Sequence, residues 1–216
     1  MKRTLTVGAE LPLEPISEKD RKAIMAAAPE YGNHKSAEKN APAVMAILTK
    51  EAEKGWQLPL PVQKLHKIPG VIVDPMGLVS QTSIDKEGNT IPKHRLTHNQ
   101  SFNYDLENIK LVKERVRKDL LSQCVYGFAL KRFIHTIVAL RTKFKDTPLL
   151  MTKFDFKSAY RRVHFSASLA LQSVVKTNGL EEHPITLMSL CETFGGAPCP
   201  FLLRNFQNPL PTCPMR

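Results

Sequence analysis

An apolar run that ends in a single carboxylate sets the strongest limit on how this chain can fold. Leu149 to Phe156 predicts a buried strand, and Asp155 lies near its carboxyl end. Tyr160 and the pair Arg161-Arg162 follow in a predicted short helical turn. A carboxylate at a strand end suits a hard cation such as Mg2+, and neighbouring basic side chains suit phosphates. The competing interpretation is structural: an aspartate that caps the following helix.

A choice between these interpretations depends on whether the sequence contains further carboxylates for a metal site. Metal-dependent phosphoryl transfer generally uses carboxylates that hold two ions. Asp155 is the last aspartate in the sequence, and the next acidic residues are Glu181, Glu182 and Glu192. From its residues alone, the chain therefore predicts at most part of a metal site.

The positive charge is concentrated in one segment. The chain of 216 residues has a formal net charge of +11, and residues 110–162 contain 14 Lys and Arg against four acids. Such a surplus attracts polyanions through counterion release and steering, although a solvated basic helix face is the simpler alternative. The candidate nucleic-acid contacts are Arg115, Arg117, Lys118, Lys131, Arg132 and Arg141.

Cysteine spacing and hydropathy argue against other classes. The sequence has four cysteines without a C-x-x-C pair, and no secretory leader is recognisable after Met1. Reduced thiols and an intracellular location, cytoplasmic or nuclear, are expected. No apolar run is long enough for a membrane span, so no membrane partner is expected. His94 and His98 lie in extended-looking sequence, which does not favour a shared metal.

The pattern of apolar and turn residues predicts an α+β fold. Residues 1–55 are predicted to be helical, with Ser17 and Asn40 as caps, Pro42 in a first turn and Gly55 as a stop. A β-hairpin is predicted from Met76 onward, with a polar turn at residues 85–89. Further predicted elements are helices over 106–121 and 125–141 and strands over 149–156 and 185–194.

Three segments in order resemble reverse transcriptases, especially those of retrotransposons. The segment Phe154-Asp155-Phe156-Lys157-Ser158-Ala159-Tyr160 is similar to the first palm motif, D-x-x-x-A-Y. The hairpin from Met76-Gly77-Leu78-Val79 to residues 93–102 is similar to the fingers hairpin. Phe194-Gly195-Gly196-Ala197-Pro198-Cys199-Pro200 is similar to the second palm motif. The resemblance covers residues from about 58 to 203, and it implies fingers and a partial palm after an N-terminal helical extension.

The resemblance implies a nucleotide site around the first motif. Asp155 would ligate Mg2+, with Mn2+ as an alternative, beside the carbonyl of Phe156. Tyr160 would contact the incoming sugar and exclude a 2′-hydroxyl. Arg95 and Lys86 would reach the triphosphate from the fingers.

The rest of the implied site concerns the second motif and the template. Phe194 and Gly195 would line the nucleotide pocket. The basic segment between Lys110 and Arg141 would hold the backbone of an RNA or DNA template-primer, and deoxynucleotides would be the substrates.

The sequence also departs from the family pattern. The third palm motif, an aromatic followed by two aspartates, is missing after the second. The resemblance therefore implies a truncated polymerase, inactive alone because one set of metal ligands is missing. The expected division is a helical extension over 1–55, fingers and partial palm over 56–205, and an irregular Pro-rich tail over 206–216. A non-catalytic basic nucleic-acid-binding module is the alternative.

Overall fold

Helices come first along the chain, and strands with further helices among them follow. The computed structural model describes residues 6–121, 128–152, 158–177 and 185–193, and within them the fold is mixed α+β, which confirms the predicted class. The helices and strands are α1 (Glu18–Tyr31), α2 (Lys35–Glu38), α3 (Ala41–Glu53), β1 (Gln57–Pro61), β2 (Val73–Asp74), β3 (Met76–Ile84), β4 (Thr90–His98), α4 (Ala129–Lys143), α5 (Ala167–Ala170), β5 (Val174–Lys176) and β6 (Ile185–Ser189). Short 3-10 turns cover Val62–Lys67, Lys118–Leu120 and Tyr160–Arg162.

Helices α1 and α3 begin and end close to the predicted signals. Residues 8–17, also predicted to be helical, are not helical. Ser17 Oγ accepts a hydrogen bond from Asp20 N at 3.0 Å, which confirms the cap of α1. Helix α3 starts after Asn40, with proline in its first turn, and ends before Gly55, whose φ is +69°. The Asn40 side chain does not cap this helix, because its Nδ2 donates to Ser36 O instead.

The strands of the described residues form two separate sheets. Four strands have the order β1-β6-β5-β2, in which β1 and β5 run antiparallel to β6, and β2 runs parallel to β5. Strand β1 contains Pro59 at its centre and lies at the sheet edge, where a missing N–H is tolerated. Strands β3 and β4 form the predicted hairpin, with Met76 opposite His98 and Ile84 opposite Thr90.

A glycine allows α2 to approach the base of this hairpin. A Cβ on Gly77 would lie 2.9 Å from Thr97 Oγ1 and 3.5 Å from His34 Cδ2. The backbone N–H groups on both sides are used as well: Met76 N donates to Asn33 Oδ1, and Leu78 N donates to Ser36 Oγ. The close approach therefore attaches the hairpin base to the helical segment.

The N-terminal helices share a core with both sheets. Val44 and Leu48 of α3 pack in one cluster with Leu78 of β3, Val175 of β5 and Leu187 of β6. All five side chains are buried. The helices of residues 18–53 are therefore packed into the fold that carries the hairpin.

The helix predicted over residues 106–121 is wrong. The segment consists of turns and a single 3-10 turn at Lys118–Leu120. Asp105 and Asn108 have φ of 55° and 62°, which right-handed helices do not permit. Local side chains satisfy the backbone instead: Asn103 Oδ1 accepts from Leu106 N, and Glu114 Oε2 accepts from Leu111 N.

The later elements agree in part with the prediction. The helix expected from residue 125 is observed as α4 from Ala129 to Lys143, and residues 122–127 lie outside the described ranges. The strand expected over 149–156 is not formed in its described part, residues 149–152. The strand expected over 185–194 is shorter, Ile185–Ser189. Across the described ranges, every helix is too short or too polar to span a membrane.

Candidate functional site

The hairpin is anchored at its base and exposed towards its tip. Leu78 and Leu96 face each other across the strands and are buried, whereas the described side chains from Val79 to Lys93 are exposed or partly exposed. The carboxylate of Asp85 orders the turn by accepting from the backbone of Glu87 and Asn89, at 3.0 and 2.8 Å. These hydrogen bonds, above all the one from the Asn89 backbone, lower the pKa of Asp85.

The two faces of the hairpin differ in charge. Side chains alternate along a strand, so Lys93 and Arg95 lie on one face, opposite Gln81 and Val79. Lys93 is exposed and Arg95 partly buried. Lys86 is exposed in the turn. The predicted cationic residues of the fingers are therefore arranged along one exposed ribbon.

The first palm-like motif lies only partly within the described residues. Asp155 and Phe156, the predicted metal ligands, lie outside the described ranges, and so do Phe194 and Gly195 of the predicted nucleotide pocket. Tyr160 is described and partly buried, in the predicted turn at Tyr160–Arg162.

Arg161 anchors this turn to the N-terminal helices. Its Nη2 donates to both carboxylate oxygens of Glu51 on α3, at 2.6 and 2.7 Å. The side chains of Arg161 and Glu51 are only 11% and 13% exposed. Nη1 of Arg161 also donates to the Glu192 carbonyl at 3.1 Å. One guanidinium therefore joins α3, the motif turn and the segment after β6.

A polar chain extends this contact into the sheet. Gln57 Nε2 donates to Glu51 Oε2 at 3.0 Å, and Ser189 Oγ donates to Gln57 Oε1 at 3.1 Å. Gln57 and Ser189 are buried partners in the β1–β6 register. Sequence reasoning missed this network, because Glu51 and Arg161 are 110 positions apart and no motif connects them.

Two ionisable side chains related to Arg161 are buried, His98 and Glu192. The charge of Arg161 acts on His98, and Arg161 binds the backbone carbonyl of Glu192. His98 is buried at the hairpin base, and burial, assisted by the Arg161 charge, lowers its pKa to about 3. Glu192 is also fully buried, and burial raises its pKa to about 8. Within the described residues, neither ring nitrogen of His98 and neither carboxylate oxygen of Glu192 has a hydrogen-bond partner. Burial therefore favours the neutral form of both groups.

Cys191 lies beside a histidine but is not an activated thiol. Its Sγ is 3.5 Å from His164 Nδ1, and the two residues pair in an isolated bridge. Burial raises the pKa of Cys191 to about 11, and the thiolate is the nucleophilic form. Cys191 is a free and buried cysteine.

The prediction that Arg115 contacts nucleic acid is corrected by its burial. Arg115 is buried; it donates to Glu14 O at 2.9 Å and, through Nη2, to Gln172 Oε1. Burial lowers the pKa of Arg115, and the charge of Asp74 opposes that shift. Burial also raises the pKa of Asp74 well above its ordinary value. Arg115 therefore makes its polar contacts inside the fold and is not at the surface.

The remaining candidate cations are at the surface. Arg117 forms two hydrogen bonds to the carboxylate of Asp119, at 3.1 and 2.8 Å, so its charge is matched locally. Lys118 is exposed beside it. The other three candidates are exposed on α4: Lys131, Arg132 and Arg141.

The described residues do not supply a metal site by themselves. No group of three His, Cys, Asp or Glu side chains with suitable spacing occurs among residues 6–121, 128–152, 158–177 and 185–193. His94 and His98 do not converge: His94 bonds to Ser80 Oγ, and His98 is buried at the base. The fit of Mg2+ to Asp155 stays a prediction from the sequence.

Comparisons of the chain with models of known families, with curated proteins and with solved structures found no match.

Proposed function

We propose that this chain forms the fingers and N-terminal palm of a retroelement-type reverse transcriptase and binds template-primer and deoxynucleotides. The observation that supports this best is the β3–β4 ribbon. It forms where the fingers hairpin is expected, is held at its base by α2 and α3, and extends an exposed cationic face into solvent. A ribbon fixed at one end can reach over a bound duplex while its base keeps a constant position.

The proposed roles divide between the ribbon and the turn after Asp155. Lys93 and Arg95 contact phosphates, for which a guanidinium is well shaped. Tyr160 contacts the sugar of the incoming nucleotide, and Arg161 holds that turn through Glu51. Asp155, with the carbonyl of Phe156, would hold Mg2+, and the ion would supply positive charge for phosphoryl transfer.

A lysine on the ribbon tests the proposed contact with nucleic acid. We expect Lys93→Ala to weaken binding of a primer–template duplex uniformly across sequences and to reduce the salt-dependence slope by about 1. Lys22→Ala removes an exposed lysine of α1 and serves as the matched control, which should bind like the parent. Fluorescence anisotropy over a salt series measures both. Equal losses in the two variants would show diffuse attraction to a basic protein and would contradict the ribbon contact.

A non-catalytic nucleic-acid-binding module is the second candidate, and the four Lys and Arg on α4 without an acid favour it. Nucleotide selectivity separates the two proposals. The polymerase hypothesis predicts that, with Mg2+, a deoxynucleoside triphosphate binds more tightly than the corresponding ribonucleotide. The Tyr160→Ala variant should lose this preference. The Asp155→Ala variant should lose the Mg2+-dependent binding of the nucleotide and still bind the primer–template duplex. Duplex binding without any sugar preference in the parent would favour the module.

A further inference from the structure

Helix α4 presents an apolar stripe that no described element covers. Leu130, Ile134 and Val138 recur every four residues and therefore lie on one face. Their side chains are 70%, 52% and 58% exposed, and α4 has no buried residue at all. Soluble helices normally bury such a stripe, and contiguous exposed apolar surface marks an interaction site.

A recess lies next to this stripe. Phe133, Ile137 and Leu140 of α4 and the segment 149–152 line a cavity of about 230 Å3. Leu150 and Met151 beside it are themselves exposed. A half-open apolar recess of this size accepts one large side chain, and such buried anchors contribute most of the energy of protein interfaces.

The charge around the stripe indicates which kind of partner would bind there. Residues 128–145 contain five Lys and Arg and no Asp or Glu. Arg141 follows Val138 by three residues, so it continues the apolar stripe at the carboxyl end of the helix. Apolar side chains together with carboxylates therefore complement both the stripe and this charge.

We propose that the stripe and recess of α4 are a docking surface for an acidic amphipathic helix of a partner protein. Apolar residues of that helix pack on Leu130, Ile134 and Val138, and one large side chain enters the recess. A carboxylate on the partner pairs with Arg141. The proposal does not depend on polymerase function, because it uses only α4 and residues 149–152.

Two other occupants fit the surface less well. A second copy of this chain would bring two acid-free basic helices together, and like charges repel across an interface. An anionic bilayer attracts basic amphipathic helices, but it has no fixed carboxylate for Arg141 and no side chain for the recess. Both occupants are outcomes of the test.

The test uses the full chain and three labelled synthetic helices. One carries leucine at i, i+3, i+4 and i+7 with glutamate between, one has lysine in place of glutamate, and one has serine in place of leucine. We expect the first to bind at least about tenfold tighter than either of the others in fluorescence anisotropy, a difference of about 1.4 kcal/mol. The serine peptide measures attraction to the net charge alone.

Variants on the helix locate the contact. Leu130→Ala and Ile134→Ala keep helix propensity and should each weaken the acidic peptide about tenfold. Arg141→Gln should remove much of the preference for acid, and Ala139→Ser on the opposite face should change nothing. Circular dichroism verifies that each variant keeps the helix. Equal binding of the acidic and serine peptides, unchanged binding by the alanine variants, Leu130-dependent self-association or Leu130-dependent binding to phosphatidylserine vesicles would each overturn the proposal.

Discussion

Arg161→Met is expected to lower the free energy of unfolding by about 3–5 kcal/mol, because removal of one partner leaves the other charge buried. The remaining group is the Glu51 carboxylate, with Gln57 as its other hydrogen-bond donor. The loss also includes the hydrogen bond from Arg161 to the Glu192 carbonyl. Urea denaturation measures the change as a shift in midpoint at constant slope.

A double variant separates the ion pair from general damage to the core. Glu51→Leu combined with Arg161→Met removes both charges, and it should lose much less stability than either single change, since replacing a whole buried pair is often nearly neutral. The exposed pair Lys110–Glu14, at 2.8 Å, provides the control. Lys110→Met should change stability far less, because exposed ion pairs contribute little. Similar small losses at both pairs would contradict the anchoring role assigned to Arg161.

Glu192→Gln is expected to remove a pH dependence of stability. The pKa of Glu192 is about 8 in the folded chain against an ordinary value of 4.5, because the carboxyl is buried. Between these values the folded state keeps a proton that the unfolded state has released. The contribution of Glu192 to the free energy of unfolding is therefore fully present below pH 4.5. It declines as pH rises towards 8, by up to about 1.4 kcal/mol per pH unit.

This decline of stability with rising pH sets the expected result for Glu192→Gln. Glutamine keeps the shape without the ionisation, so Glu192→Gln should match the parent near pH 4.5 and exceed its stability by a few kcal/mol at pH 8. Urea unfolding of both proteins across this range measures the difference. Glu53→Gln, at an exposed position of α3, is the matched control and should follow the parent. A parent whose stability does not decline between these limits would show that Glu192 is ionised inside the fold.

Local signals in the sequence predicted the elements whose stability is local. Ser17 caps α1, Gly55 follows the end of α3, and the turn at Asp85 closes the hairpin. In each case the hydrogen bonds or dihedral angles that define the boundary involve residues within a few positions of it. The hairpin depends on such a turn, so it could be predicted from the sequence.

The failures occurred where distant segments decide the structure. Residues 106–121 have a helical composition, yet Ile109 and Val112 pack beside Ile24 and Ile72, and the turns bring them there. Arg115 counted as a surface charge, but its partners are Glu14 and Gln172. Charge counting along a segment cannot detect burial, because burial depends on which residues fold over that segment.

By itself the sequence determined the α+β class, the N-terminal helices, the β3–β4 hairpin and the motifs that resemble a reverse transcriptase. Only the tertiary structure decided that the N-terminal helices share a core with the sheets, that Glu51 holds Arg161, and that Glu192 is buried. It also decided that the apolar stripe of α4 is exposed. The physical reason is range: capping and turn formation act between neighbours in sequence, whereas burial and ion pairing act between neighbours in space.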